Sequence, residues 1–491
     1  MGVIQRQSIK YSIIGYSGVV IAFLATMFIY KQDEEIYGFA QFILNLAYLL
    51  IPLVSLGTYN SIIKFYQPHK DNRKAYLNSF LLLFLGAALL FTILYTLFSS
   101  YFHDFLVFAS IDKDRIIEQH DYLIIPLAMV LGLNLMLTNQ SSNMHRITVP
   151  ELINNIGYKI LLPIIIYGAV MGWVVKDNIP IFIFVSHALL TLIILFYVYS
   201  LGTVGFTKGL VKNIRQDTKE AVGSFSLFSS LNTLSVGLAF RIDIIMVATM
   251  ISMTANGIYT MMIFLTSVIE IPRRAIYKIA GPIISEASSK KDNVKLEYLY
   301  KSTSINLMIP SVFISICIFL GLPLLDVISV GEPIFYEWRY VFALIAAAKV
   351  LDMSLSVNTQ LIDYSSWYRY NFLFLIILAI SNITLNYFAI KTYGLIGAAA
   401  ATALSYVLFN LLKLIFVWFK MKMTPFSSAN LKLLVLTALI LIAIYLMPSV
   451  DNVWIDTILK MTVFSSLYLS SVWVLKISPE LHDLISKYLP F

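Results

Sequence analysis

The sequence predicts an all-α polytopic membrane protein in which two six-helix lobes, related by a pseudo-twofold axis, are followed by two C-terminal helices. Three observations predict it. Fourteen apolar segments of roughly 18 to 27 residues are each long enough to cross a hydrocarbon core of about 30 Å at about 1.5 Å rise per residue. Lysine and arginine fall predominantly into alternate connections between those segments. Residue pairs in the first half of the chain recur in the second at nearly the same offsets. The composition agrees, since 59% hydrophobic residues, 13% charged residues and a mean hydropathy of +0.81 do not describe a soluble chain of 491 residues.

In order, the predicted spans cover residues 9 to 30, 36 to 58, 78 to 99, 121 to 138, 152 to 173, 179 to 200, 223 to 249, 255 to 281, 302 to 327, 334 to 360, 368 to 390, 393 to 419, 430 to 448 and 454 to 475. The first is read as an uncleaved helix, because it is of spanning length and no small-residue cleavage site follows it. With the N-terminus inside, 25 of the 35 basic residues lie in inner connections, among them Lys64, Lys70, Arg73 and Lys74, the group Lys208, Lys212, Arg215 and Lys219, and Lys413. Outer connections hold 7: Lys31, Lys113, Arg115, Lys176, Arg339, Lys391 and Lys460. This excess sets both termini on the cytoplasmic side of the membrane. The tryptophans agree: Trp173, Trp338 and Trp454 fall at outer span ends and Trp367, Trp418 and Trp473 at inner ones, as interfacial belts do.

The net charge of +8 is largely this topological excess and gives no argument for nucleic acid. Cys317, the single cysteine, excludes an intrachain disulfide and a multi-cysteine metal site. The six histidines are scattered without ligand spacing, and there is no Gly-rich phosphate loop to support direct ATP hydrolysis. No connection is long enough for a soluble catalytic domain, and no carboxylate-rich loop is present to activate a sugar donor, so the chain reads as a non-enzyme without a resident cofactor.

The duplication is visible in offsets. Ile36-Tyr37 opens the second span and Ile258-Tyr259 the eighth; Lys70-Asp71-Asn72 and Lys291-Asp292-Asn293 follow at 33 and 32 residues from the tyrosines; Asn139 and Asn358 follow at 102 and 99. The repeat maps spans 1 to 6 onto 7 to 12, giving an N-lobe at 1–202, a cytoplasmic linker at 203–222, a C-lobe at 223–420 and a C-terminal segment at 421–491. Two lobes facing a cleft are a transporter architecture, with alternating access by rocking.

Several stretches resemble one family: Gln7-Ser8 before the first span, the Tyr37 and Tyr259 entries, Ser381-Asn382-Ile383-Thr384-Leu385-Asn386-Tyr387, and the run Tyr393-Gly394-Leu395-Ile396-Gly397-Ala398-Ala399-Ala400-Ala401-Thr402-Ala403. These are similar to the Wzx-type flippases of lipid-linked oligosaccharides, within the multidrug/oligosaccharidyl-lipid/polysaccharide (MOP) exporter superfamily, to which the MATE multidrug transporters also belong. The resemblance implies the six-plus-six repeat with two added helices, and translocation of undecaprenyl-diphosphate-linked oligosaccharide for surface polysaccharides such as O-antigen and lipopolysaccharide. It further implies membrane lipids and polysaccharide polymerase machinery as partners.

Charges inside the spans are the candidate functional residues. Lys159, Arg241, Asp243, Lys349 and Asp352 each cost about 2.5 to 3.5 kcal/mol at a helix centre, roughly 12 to 17 kcal/mol together, so a wet cavity or a network must receive them. Arg241 and Asp243 are two apart and point to different helix faces, whereas Lys349 and Asp352, three apart, can pair with each other. Arg241, Lys349 and Lys159 are read as binding the anionic diphosphate, and Asp243 and Asp352 as coupling sites for H⁺ or Na⁺. A salt bridge tying helices together is the competing reading for Lys349 and Asp352. Glu270 with Arg273 and Arg274 reads as a surface pair, beside a bend at Pro272. A multidrug exporter for cations is the rival function, and the lack of a midspan carboxylate in spans 1 to 6 argues against it. A lipid II flippase is a closer alternative, and a non-transporting scaffold a more distant one.

Overall fold

The computed structural model describes residues 2–109, 123–144, 146–202, 216–480 and 482. Most of the predicted linker and the end of the C-terminal segment lie outside these residues. The described residues are mostly helical, with no strand among them, and the predicted fold class is the one found. Among the described residues twelve helices are long and apolar enough to cross a membrane, so this is a multi-pass membrane protein. One of the twelve, Arg369–Met421, is really two spans, because Gly394 breaks it with a φ of 57° and a ψ of −134°. Counted with the 16-residue Arg339–Ser354 helix, at the place of the predicted tenth span, the described residues hold fourteen such segments.

Packing divides the chain into two compact units, Met1–Gly257 and Ile258–Phe491. In the first, α1 (Gly2–Phe28) is followed by α2 (Glu34–Ser55), whose start is fixed by Asp33: its carboxylate accepts from the Ile36 backbone N–H at 2.9 Å. At the other end of α2 the chain turns through Leu56 and Gly57, both at positive φ. Glycine is required here for space as well, since a Cβ at Gly57 would lie 2.3 Å from the Ser226 carbonyl. α3 (Arg73–Ala109) and α4 (Ile124–Asn143) follow, then α5 (Tyr158–Val170), preceded by a π-turn at Ile153–Gly157, and α6 (Ile179–Ser200). Leu85, Leu89 and Leu97 are exposed along α3, as expected of a helix with a lipid face.

The repeat and the packing divide the chain at different places because α7 (Gln216–Met250) lies along α2. Ser230 donates to the Pro52 carbonyl at 2.6 Å, Asn60 to Ser229 at 2.8 Å, and Arg241 to Asn45 at 2.7 Å. The start of α8 (Met253–Ser267) also packs on α2 through two glycines. A Cβ at Gly38 would stand 1.8 Å from the Met253 carbonyl, and one at Gly257 2.1 Å from the Glu34 carbonyl. Asn256 closes this contact by donating to the Gly38 carbonyl at 2.7 Å.

In the second unit α8 passes through a 3-10 turn at Val268–Glu270 into the helix Ile271–Ser289, with Pro272 in its first turn, where its missing N–H costs no helix bond. α9 (Asn293–Ile328), α10 (Arg339–Ser354) and the two arms of Arg369–Met421, α11 (369–393) and α12 (395–421), complete the repeat. The Gly-x-x-Gly-Ala-Ala junction has a direct physical cause. Gly394 supplies the positive φ, and Gly397 lets α12 approach so closely that a Cβ there would lie 2.0 Å from the Ala389 carbonyl. α13 (Ser428–Tyr445) and α14 (Val453–Val474) pack on α9: Tyr468 donates to the Ile309 carbonyl at 3.0 Å, and Phe313 stacks on Phe464.

Candidate functional site

Each unit holds a cluster of buried and half-buried ionisable side chains. In the first unit, Asn45 and Tyr48 stand one turn apart on α2 and share a face. The Arg241 guanidinium donates to Asn45 and lies 4.7 Å from the centre of the Tyr48 ring, so it is held by a dipole and a π-face. Asp243, two residues on, is buried, and its carboxylate accepts from the Ile244 backbone N–H at 2.9 Å. Lys159 belongs to another helix pair: its ammonium reaches α1, where a Cβ at Gly18 would stand 2.9 Å from Nζ. The neighbouring Tyr158 ring packs on His187 with centroids 4.3 Å apart, and Tyr30 stacks on Tyr37 at 4.2 Å.

The second unit contains a connected network. Glu270 and Arg273 lie on successive turns beyond α8, and Lys349 and Asp352 on successive turns of α10. Rather than pairing along α10, the two latter residues reach across. Lys349 pairs with Glu270 at 3.4 Å, Asp352 pairs with Arg273, and Arg273 closes the set with Glu270 at 3.2 Å. Two sequence expectations are thereby corrected. Lys349 and Asp352 do not neutralise each other, because opposite charges on the facing helix are in better position. Glu270 and Arg273 are not a surface pair, because both are half-buried beside α10 and paired with it, while Arg274 stays exposed.

Two further polar elements were not read as sites from the sequence, although the residues of the second carry the family resemblance. Lys413, assigned to an inner connection, is 2% exposed; it donates to the Thr359 hydroxyl at 2.9 Å and lies 3.9 Å from the centre of the Phe409 ring. A signal existed, since Thr402, Ser405, Asn410 and Lys413 are all buried and recur at helical spacing along α12. The second element is a knot of uncharged groups: Tyr259 donates to Thr402 at 3.1 Å, Asn386 donates to the Asn382 carbonyl at 2.9 Å, and the Thr402 hydroxyl lies 3.5 Å from the Asn382 side-chain oxygen. It joins α8, α11 and α12.

Chemically, neither cluster holds a nucleophile with a base or a grouping of metal ligands; among the described residues no group of three or more His, Cys, Asp or Glu could hold a metal ion. What they offer is fixed positive charge inside membrane helices, with Arg able to take a phosphate bidentately and Lys as a point charge. In each case a helix partner already stabilises the charge.

The fold is one shared by solved membrane transporters. A lipid II flippase, MurJ, in an inward closed conformation, is 14% identical with a TM-score of 0.76, covering 96% of this chain and 99% of its own. A MATE structure in complex with MaL6 is 15% identical with a TM-score of 0.54, covering 86% and 96%. A MOP superfamily transporter from Pyrococcus furiosus is 13% identical with a TM-score of 0.53, covering 86% and 95%. No protein-family model matches the chain, and no curated protein matches it in sequence.

Proposed function

We propose that the chain is a flippase that moves polyprenyl-diphosphate-linked oligosaccharides across the cytoplasmic membrane by alternating access, for surface polysaccharide biosynthesis. The observation that carries this reading is the reach of the fold similarity. A match covering 96% of the chain includes α13 and α14, and its counterpart is a lipid II flippase. The MATE structures cover 86%, leaving unmatched a share about as large as the segment from 421 onward. The sign of the buried charge supports the same choice. Three buried or half-buried cations, Lys349, Lys413 and Arg273, stand in the second unit with two acids, Glu270 and Asp352, and the first unit adds Arg241 and Lys159 against Asp243, five cations to three acids.

On this reading Arg241, Lys159 and Lys349 bind the diphosphate, Lys349 by exchanging its Glu270 partner for the substrate. Asp243 and Asp352 are the coupling residues for H⁺ or Na⁺, with Arg273 as the competitor an ion must displace from Asp352. Both termini are cytoplasmic, the polyprenyl tail stays in lipid, and the polymerase machinery receives the product. Lipid II is the nearer alternative substrate, favoured by the same fold match, and a cation or drug antiporter the more distant one.

The test compares cells with and without the gene for lipid-diphosphate-linked oligosaccharide, lipid II, surface polysaccharide and drug susceptibility. Accumulated oligosaccharide intermediate with lost surface polysaccharide is expected. Accumulated lipid II instead would transfer the assignment to peptidoglycan precursors, and altered drug susceptibility alone would transfer it to drug export.

A further inference from the structure

An apolar slot of about 580 Å³ opens between α3 and α7, away from both charged clusters. Its wall on α3 runs from Ser79 to Leu90, about 16 Å along the helix, which is half of a hydrocarbon core of about 30 Å. Its floor is made by small residues, Gly86, Ala87 and Gly223, and its rim by Leu82, Leu83 and Leu227, which are 47%, 47% and 55% exposed. The hydroxyls on the slot have internal partners: Thr58 donates to the Ser55 carbonyl at 2.9 Å, Ser79 to the Ala75 carbonyl at 2.8 Å, and Ser226 meets Ser61 at 2.5 Å. The occupant is therefore apolar along its length.

The charge at one end identifies the rest of it. Lys64, Lys70, Arg73 and Lys74 are all exposed, and Asp71 is the single acid between residues 64 and 74. Arg73 and Lys74 begin the same helix that forms the wall, within about 9 Å of Ser79. Lys64 lies 3.7 Å from the centre of the ring of Phe225, the residue before Ser226 at the slot. A chain-length apolar groove with a cationic collar at the interface matches an amphiphile with an anionic head. We propose that this slot binds an anionic glycerophospholipid of the adjacent leaflet, one acyl chain lying along Ser79 to Leu90 and the phosphate on the Lys64, Lys70, Arg73 and Lys74 collar. The site is independent of the transported substrate.

Two glycines make the test clean. No atom lies within 4 Å of a Cβ placed at Gly86 or at Gly223, so G86L and G223L fill the slot without pressing on the protein, and leucine also favours the helix. Delipidated full-length protein is titrated with phosphatidylglycerol and with phosphatidylcholine of the same chains, and bound lipid is read by native mass spectrometry. Phosphatidylglycerol is expected to bind at least about fivefold more tightly, the effect of a single basic residue near a phosphate. K64Q/K70Q/R73Q/K74Q is expected to reduce it to the phosphatidylcholine level, and G86L or G223L to weaken both lipids at unchanged melting temperature. Equal binding of the two lipids by the unsubstituted protein, or unaltered binding in folded G86L and G223L, would overturn the proposal. So would displacement of phosphatidylglycerol by an equimolar polyprenyl phosphate.

Discussion

Replacing Glu270 by glutamine removes the carboxylate that Lys349 and Arg273 share, at 3.4 and 3.2 Å. At an effective dielectric near 20, each contact is worth about 5 kcal/mol before desolvation is counted. Desolvation offsets much of this, and removing one partner of a buried pair leaves a net loss of about 3–5 kcal/mol. The two cations do not suffer equally. Arg273 keeps Asp352, whereas Lys349, 8% exposed, loses its ion-pair partner. K349M should therefore lose less than E270Q, about 1–2 kcal/mol, because Glu270 retains Arg273. The double variant E270Q/K349M should recover part of the E270Q loss, with a coupling of about 2 kcal/mol. The assay is thermal unfolding of the four proteins in one detergent, followed by intrinsic tryptophan fluorescence, with K290Q as a control at an exposed Lys290–Glu286 pair that should leave the transition unmoved. E270Q melting with the unsubstituted protein, or simple additivity of E270Q and K349M, would refute the claim that this network is buried and coupled.

Arg241→Gln keeps a side chain able to donate to Asn45 but removes the charge, so transport of lipid-linked oligosaccharide should fall at least tenfold with little change in melting temperature; equal transport in proteoliposomes would sink its role in anion binding. Gly257→Leu places atoms where the Glu34 carbonyl lies, 2.1 Å from the new Cβ, and should lower stability by about 1–3 kcal/mol or more, measured against G86L, which meets open space. Glu480 tests pH dependence. Burial raises its carboxyl, but hydroxyls of Ser302, Tyr298 and Ser478 outweigh burial and hold it below the ordinary glutamate value. A lowered pKa stabilises the folded state fully above about 4.3 and loses that contribution as pH falls through the folded value. The stability gap between unsubstituted protein and E480Q should thus be constant from pH 7 to about 5 and close on further acidification; a gap independent of pH would show that the hydroxyls do not favour the carboxylate.

How much of this was legible in the sequence depended on the range of the interactions. The positions and order of the spans are local properties, written in runs of apolar residues, and they reappear as helices, although the predicted span 334 to 360 is shortened to Arg339–Ser354. The junction at Gly394 and Gly397 was legible as a motif, although the close approach to Ala389 that requires the second glycine was not. Pairing was beyond reach. The spacing of Lys349 and Asp352 made an intrahelical bridge permissible, and the choice of Glu270 and Arg273 instead depends on the side of α10 that faces them. Lys413 was misplaced for a related reason: hydropathy sees a lysine near a span end, while its burial follows from neighbours 54 residues away at Thr359. The slot between α3 and α7 left no trace in periodicity, because Gly86 and Gly223 are conspicuous only once the two helices stand side by side.

The paired state of the buried cations bears on how a substrate could drive the cycle. A ligand shifts a conformational equilibrium only by its difference in affinity for the two states. A free buried lysine would attract a diphosphate in any conformation and so bias none. Lys349 is engaged by Glu270, and Arg241 by Asn45 and Tyr48, so an incoming diphosphate has to replace contacts that also tie α10 to the segment after α8, and α7 to α2. On the proposed reading, binding and loosening of helix contacts are then one event. E270Q, which frees Lys349 in advance, should accordingly bind a diphosphate more tightly while transporting it more slowly, a split that uniform weakening of the fold would not produce.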